Sequence, residues 1–295
     1  MQNLATNQLG ATGLTVTRLS AGGHFTNGPT GHEDIPRRVR EIHHHIESGI
    51  TYFDVQWDPE ELAMAEVMKT RASEITVAWP LHGVTALAGD VTAKYIVDYC
   101  DDHMKRYGIE HVDILLWIAL EMSLDTHDKV MEEVRNGFEQ LKLKGFCDHL
   151  GFSCHHSPEM AMRAITHFDE FEVMMVKYGL LEPTAGRELL SVAKSKGIGT
   201  VAMKPFAGGG GFFNRVYAGE VEHPELACWK GSGRPYQAGI KWVLTDENLD
   251  CTVPGMHSIQ EIDELLAAAG QALDGEDESI LGMYKAMAGS SGSWA

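Results

Sequence analysis

Basic residues are scarce. The 295-residue chain carries 24 lysines and arginines against 42 aspartates and glutamates, a net charge of −18. A surface this acidic repels nucleic-acid phosphates and anionic lipid, so neither is expected as a partner. Long apolar runs are missing too. None approaches the roughly 18 residues of a membrane span, although 44% of residues are apolar and can form a sizeable core. The opening "MQNLATNQLG" has no basic patch followed by a hydrophobic stretch, so no secretory leader is expected. The five cysteines (Cys100, Cys147, Cys154, Cys228 and Cys251) form no CxxC pair and are odd in number. That usage points to a reduced, cytoplasmic compartment. Internal repeats and dividing linkers are absent, which predicts one domain over 1–295.

What is present is an alternation. "LTVTRLSAGG", "ITYFDV", "EITVAW", "HVDILLWIA", "CDHLGFS", "FEVMMVKY", "IGTVAMKP" and "DCTVPG" are strand-like, and most are continuous apolar runs. Such runs fit a parallel sheet covered on both faces. Helical stretches lie between them. "IPRRVREIHHHIESG" stops at Gly49, and "SLDTHDKVMEEVRNGFEQLKLKG" stops at Gly145. "SPEMAMRAITHF" opens with Ser157 as N-cap and Pro158 behind it, and Ser258 opens "SIQEIDELLAAAGQ" in the same way. Eight strands, each followed by a helix, predict an α/β fold of the (β/α)8 TIM-barrel type. A doubly wound open sheet is the other arrangement, but it needs a GxGxxG turn that "SAGGHFTNG" does not supply. Residues 207–235, with four glycines at Gly208–Gly211, read as a long loop after the seventh strand, and 288–295 as a flexible tail.

Active sites of such barrels lie at the C-terminal strand ends. Those ends carry His24; Asp54, Gln56 and Trp57; Trp79 and His82; Trp117 and Glu121; Ser153, Cys154, His155 and His156; Lys177 and Tyr178; Lys204; and His257. Titratable groups gathered in one cleft suit acid–base chemistry. The tryptophans Trp57, Trp79 and Trp117 read as a cavity wall for a flat or sugar-like ligand. His43, His44 and His45 lie mid-helix and read as surface or packing residues. "CHHS" is not expected to bind metal, because neighbouring side chains on a strand point to opposite faces. The glycine run lacks the GK[ST] of a phosphate cradle and reads as a flexible loop.

The chain resembles the aldo-keto reductases, over nearly its whole length. "LGATGLTVTRLSAGG" resembles that family's opening hairpin and first strand, and "ESGITYFDV" its second strand and aspartate. "GFSCHHSPEMAMRAI" resembles the GxSxHxxPE segment and "AKSKGIGTVAMKPFAGG" the seventh-strand segment. "IKWVLTDENLDCTVPGMHSIQEIDELLAA" resembles the adenosine-binding end. The likeness is greatest to the branch that often carries a C-terminal iron–sulfur cysteine cluster, but no cysteine follows Cys251. The resemblance implies a barrel that reduces aldehydes and ketones with a nicotinamide cofactor, through a tyrosine proton donor tuned by a lysine, a histidine and an aspartate. Of that tetrad only Asp54 matches. The loop after it has no tyrosine, Pro80 stands for the lysine and Ile118 for the histidine. The cofactor contacts the resemblance implies are Ser153, Cys154 for an asparagine, Met175 for a glutamine, the loop Pro254, Gly255, Met256, His257 and Ser258, and Glu261. Leu265 stands for another asparagine. NADP and NAD both remain open as the cofactor.

Two functions follow. One is a divergent oxidoreductase acting on a small carbonyl or sugar-like substrate. In it His82 or His24 supplies the proton, Lys204 or Lys177 steadies the oxyanion, and Asp54 orients its partner, with His82, then Lys204, expected beside it. The other is a non-redox enzyme (lyase, isomerase or hydrolase) or a silent binding protein on the same barrel.

Overall fold

The structure, a computed structural model, describes residues 4–23, 34–56, 58–81, 91–118, 127–155, 157–181, 184–207 and 211–290. It opens with an antiparallel hairpin of β1 (Thr6–Gln8) and β2 (Thr15–Thr17). Eight parallel strands follow: β3 (Ala21–Gly22), β4 (Tyr52–Asp54), β5 (Thr76–Leu81), β6 (Val112–Trp117), β7 (Cys147–Cys154), β8 (Val173–Lys177), β9 (Gly199–Met203) and β10 (Cys251–Val253). They pair in sequential order from β3 to β10. The ends meet through Ser20 N–H to Thr252 O (2.9 Å) and Gly22 N–H to Pro254 O (3.0 Å), so the sheet closes into the expected barrel. This seam needs glycine: a Cβ on Gly22 would lie 2.5 Å from the carbonyl oxygen of Val253.

Helices alternate with the strands: α1 (Ile35–Glu47), α2 (Asp58–Arg71), α3 (Ala93–Tyr107), α4 (His127–Leu143), α5 (Pro158–His167), α6 (Thr184–Ser195), α7 (Phe212–Ala218), α8 (Arg234–Val243), α9 (Ile259–Ala269) and α10 (Gly275–Ser290). Their ends follow local chemistry. Ser157 and Ser258 cap α5 and α9 by accepting the N–H of Met160 (3.3 Å) and Glu261 (3.2 Å). Gly49 and Gly145 take positive φ of 96° and 76° beyond α1 and α4.

In the connection from β9 to α8, Gly208, Gly209 and Gly210 lie outside the described residues, and the described remainder is not the open loop expected. Within it, α7 buries Phe212, Phe213 and Val216, and Leu226 is also buried. That apolar content draws the segment onto the body of the protein. At the C-terminus α10 runs on to Ser290, into the expected tail, of which residues 291–295 lie outside the described residues.

Two apolar layers result. Inside the barrel sit Tyr52, Ala78, Ile114, Leu116, Ile118, Val173, Met175, Val201, Met203, Cys251 and Val253, with Leu9 and Val16 of the hairpin closing the lower end. The larger layer lies between strands and helices. Among the described residues no helix is long and apolar enough to cross a membrane, and no disulfide forms.

Candidate active site

Strand alternation decides which side chains face the barrel axis. Asp54 pairs in register with Ala78, which faces inward; Tyr52, two residues earlier, is an interior residue too. Asp54 therefore points into the barrel at its C-terminal end. The same register carries Pro80, Ser153 and Lys177 inward, through the pairs Pro80↔Leu116, Ser153↔Met175 and Lys177↔Met203. Ile118 is itself an interior residue. Pro80 and Ile118 thus turn toward the barrel interior, as Asp54 does.

The tryptophans do not form the expected wall. Trp79 and Trp117 alternate with the inward-facing Ala78, Pro80, Leu116 and Ile118 and turn outward into the helix layer. Trp79 packs edge-on against Tyr107 (5.7 Å) and His103 (6.2 Å) of α3, and Trp117 lies 6.3 Å from Phe171. Trp57, His24, His82, Glu121 and His156 lie outside the described residues.

Asp54 is 5% exposed. Among the described residues its hydrogen-bond partner is Gln56, whose Nε2 donates to Oδ1 at 2.8 Å. The partners expected first were His82 and Lys204. His82 is outside the described residues; among the described ones Gln56 holds the carboxyl. Burial pushes the Asp54 carboxyl up to about 8; the Gln56 bond pulls it down, and nearby Glu60 adds repulsion. At neutral pH this side chain is mostly a neutral acid.

Lys204 follows β9 with a left-handed backbone (φ 52°), and Ala207 repeats it (φ 67°). These are the non-glycine residues with positive φ among those described. They share one turn, closed by Ala207 N–H to Lys204 O at 2.8 Å. Strain of this kind collects at functional loops, and this one lies at the barrel mouth.

The expected cofactor residues divide. Ser153 faces inward, 1% exposed, with Oγ 3.3 Å from Nε2 of His155. Cys154 turns the other way: its thiol belongs to the strand–helix layer and donates to Ser157 O at 3.1 Å. Met175 is a buried interior residue. Pro254, Gly255, Met256, His257 and Ser258 form the link from β10 to α9, with Met256 packed in the outer core and Ser258 as N-cap. The carboxylate of Glu261 accepts the N–H of His257 at 2.8 Å, so it serves this turn locally. Leu265 is buried apolar packing.

Several residues here were not expected from the sequence. Arg38, Glu41 and Glu60 are buried charges packed between the ends of β3, β4 and β10. Nε and Nη2 of Arg38 donate to Oε1 of Glu60 at 2.9 and 2.8 Å. Burial works against the Arg38 charge, but Glu60 and Glu41 outweigh it and hold the guanidinium protonated. Among the described residues Oε2 of Glu60 has no hydrogen-bond partner. A signal for Arg38 existed. Arg38, Glu41, Ile42, His45 and Ile46 form one buried i, i+3, i+4 face of α1, and two of its five residues are charged. His45 on that face is core packing, edge-on to Phe53 at 6.0 Å. His44 bonds Asp263 across to α9. No group of three metal-ligating side chains occurs among the described residues.

A family model described as the aldo/keto reductase family matches residues 19–281. An oxidoreductase of Bacillus subtilis (strain 168), YrpG, is 25% identical over 91% of this chain and 92% of its own length. An L-glyceraldehyde 3-phosphate reductase of Escherichia coli O157:H7 is 23% identical over 61% of this chain and 49% of its own. Among solved structures, the holo form of the aldo-keto reductase AKR11C1 from Bacillus halodurans superposes with a TM-score of 0.71. It covers 96% of both chains at 18% identity. The closed eight-stranded barrel and the span of the family match agree: the chain belongs to the aldo/keto reductase family.

Proposed function

We propose that the protein is a nicotinamide-dependent oxidoreductase acting on a small carbonyl or sugar-like compound, with NADP or NAD as cofactor and Asp54 as the proton donor. One observation carries this reading: an inward-facing carboxyl at the barrel mouth whose burial raises it to about 8. When bound, the nicotinamide supplies the hydride. Addition of hydride to a carbonyl carbon leaves negative charge on oxygen, and a donor titrating near neutrality is suited to quench it. Tyrosine, the family's usual donor, must be pulled down toward pH 7 by a cation. A carboxyl must instead be pushed up. Replacing a lysine and a histidine by Pro80 and Ile118 removes the cation and adds apolar surface, and both changes act in that direction. The Gln56 bond to Oδ1 orients the group, leaving Oδ2 to carry the proton.

The residues fit a nicotinamide cofactor at two places. Ser153 presents an inward hydroxyl at a strand end, and the N-terminus of α9 opens beside the link from the eighth barrel strand. A helix N-terminus there suits a phosphate. Lys177 and Lys204 are the candidates for steadying the developing oxyanion, and His82 and His24 remain alternative acids. A cytoplasmic location accords with an odd number of cysteines and no CxxC pair.

The second reading, a barrel without redox chemistry, is favoured by the same Pro80 and Ile118, because they empty the family's tetrad. Calorimetry with NADH and NADPH separates the two. Binding of either, with Asp54→Asn keeping affinity within about threefold but losing turnover of small carbonyl compounds, supports the oxidoreductase. Failure to bind both cofactors overturns it.

A further inference from the structure

Arg38 stands at a junction that the proton-donor chemistry does not use. It is 4% exposed, and each of its five N–H donors has an acceptor. Nε and one Nη2 hydrogen go to Oε1 of Glu60, at the start of α2. The other Nη2 hydrogen goes to Gly22 O, at the end of β3, at 3.4 Å. Nη1 serves Glu41 Oε2 at 3.4 Å and Met256 O at 3.0 Å. Its neighbour Arg37 donates from Nη1 to His257 O at 2.8 Å and to Glu41 at 2.7 Å. Consecutive arginines of α1 thus grip consecutive carbonyls of the link between β10 and α9.

We propose that Arg38 is a positioning residue for the cofactor, a buried latch that fastens the Pro254–Ser258 link to the barrel mouth and, through Glu60, to the helix that follows Asp54. The inference rests on the nicotinamide reading above and deepens it. Three features support it. The link leads directly into the capped N-terminus of α9, the place where barrels of this type receive phosphate. Its sequence offers no lysine or arginine of its own, so its anchoring comes from α1. The planar guanidinium fork is the reason for arginine here: a lysine ammonium has three donors on one atom and cannot span Glu60, Gly22 O and Met256 O together. A link held in place before binding avoids the ordering cost at binding. Release of the latch therefore weakens cofactor affinity more than it alters the chemical step.

The test is Arg38→Lys, with Arg37→Gln as a milder variant that leaves no buried charge unpaired. Dissociation constants for NADH and NADPH are measured by fluorescence quenching, and amide hydrogen exchange of 254–262 is followed in the cofactor-free protein. Expected for Arg38→Lys are a rise of about tenfold in the dissociation constant of the cofactor that the wild type binds and faster exchange confined to 254–262. KM for that cofactor should rise while kcat at saturation stays within about twofold. Arg37→Gln should show the same pattern at about threefold. If Arg38→Lys does not fold, the result for Arg37→Gln decides. Unchanged affinity in a folded variant, or exchange that quickens evenly across the barrel, overturns the latch and leaves the oxidoreductase reading intact. A wild type that binds neither cofactor removes both.

Discussion

Replacing Asp54 by asparagine should make the protein more stable at neutral pH. In the unfolded chain this carboxyl ionises near 3.8, and in the fold near 8. The sign follows from proton binding. Between those values the unfolded chain has released a proton that the folded one keeps, so stability is full below about pH 4 and falls as pH rises toward 8. Each pH unit in that window costs about 1.4 kcal/mol, so at pH 7 the accumulated cost is slightly above about 4 kcal/mol. Water entry and side-chain relaxation reduce this ceiling, and about 1–3 kcal/mol is the expected gain. The amide keeps an oxygen for the Gln56 bond and has no charge to bury. For a chain of this size, each kcal/mol moves Tm by about 2 °C. Thermal melts of both proteins at half-unit steps from pH 5 to 9 measure the effect. The Asn variant should melt about 2–6 °C higher at pH 7, and the two curves should converge toward pH 5. A lower melting temperature for the Asn variant, or parallel curves, would mean that Asp54 is ionised beside a counter-charge. The proton-donor role would then be refuted.

Other outcomes are expected. Gly22→Ala places a Cβ 2.5 Å from the Val253 carbonyl oxygen at the barrel seam and should cost about 1–3 kcal/mol, read as a lower urea midpoint. Ala207→Gly relieves a left-handed backbone (φ 67°) and should gain about 0.5–1 kcal/mol; an unchanged or lower Tm would contradict the strain. Under the proposed function simple aromatic aldehydes should be poor substrates with NADPH, because Pro80 and Ile118 stand where the resemblance places the tuning lysine and histidine; rapid turnover unchanged in Asp54→Asn would contradict the proposed donor. Met substituted for Arg38 leaves Glu60 buried without its cation and should destabilise by about 3–5 kcal/mol, seen as a fall in Tm larger than that of Arg37→Gln.

The barrel, its strand order and Asp54 at its mouth were readable from the sequence, because they rest on local patterns. Apolar runs mark two-sided strands, Ser157 and Ser258 mark helix starts, and Gly49 and Gly145 mark helix ends, each within a few residues of the element concerned. The family resemblance is likewise a matter of order along the chain. Tertiary structure decided which way side chains turn and which distant groups meet. Strand register put Pro80 and Ile118 inside and sent Trp79, Trp117 and Cys154 outside. A list of strand-end residues does not contain that register, because a shift of one residue exchanges the faces. The glycine run suggested an open loop, yet the apolar surface of α7, just after it, packs onto the core. Arg38 meets Glu60 and Met256 across 22 and 218 residues of chain. A single sequence shows only that a charge lies on the buried face of a helix. Barrel closure supplies the partners, since a buried guanidinium is stable only where converging strand ends and loops provide carboxylates and carbonyls for its fork.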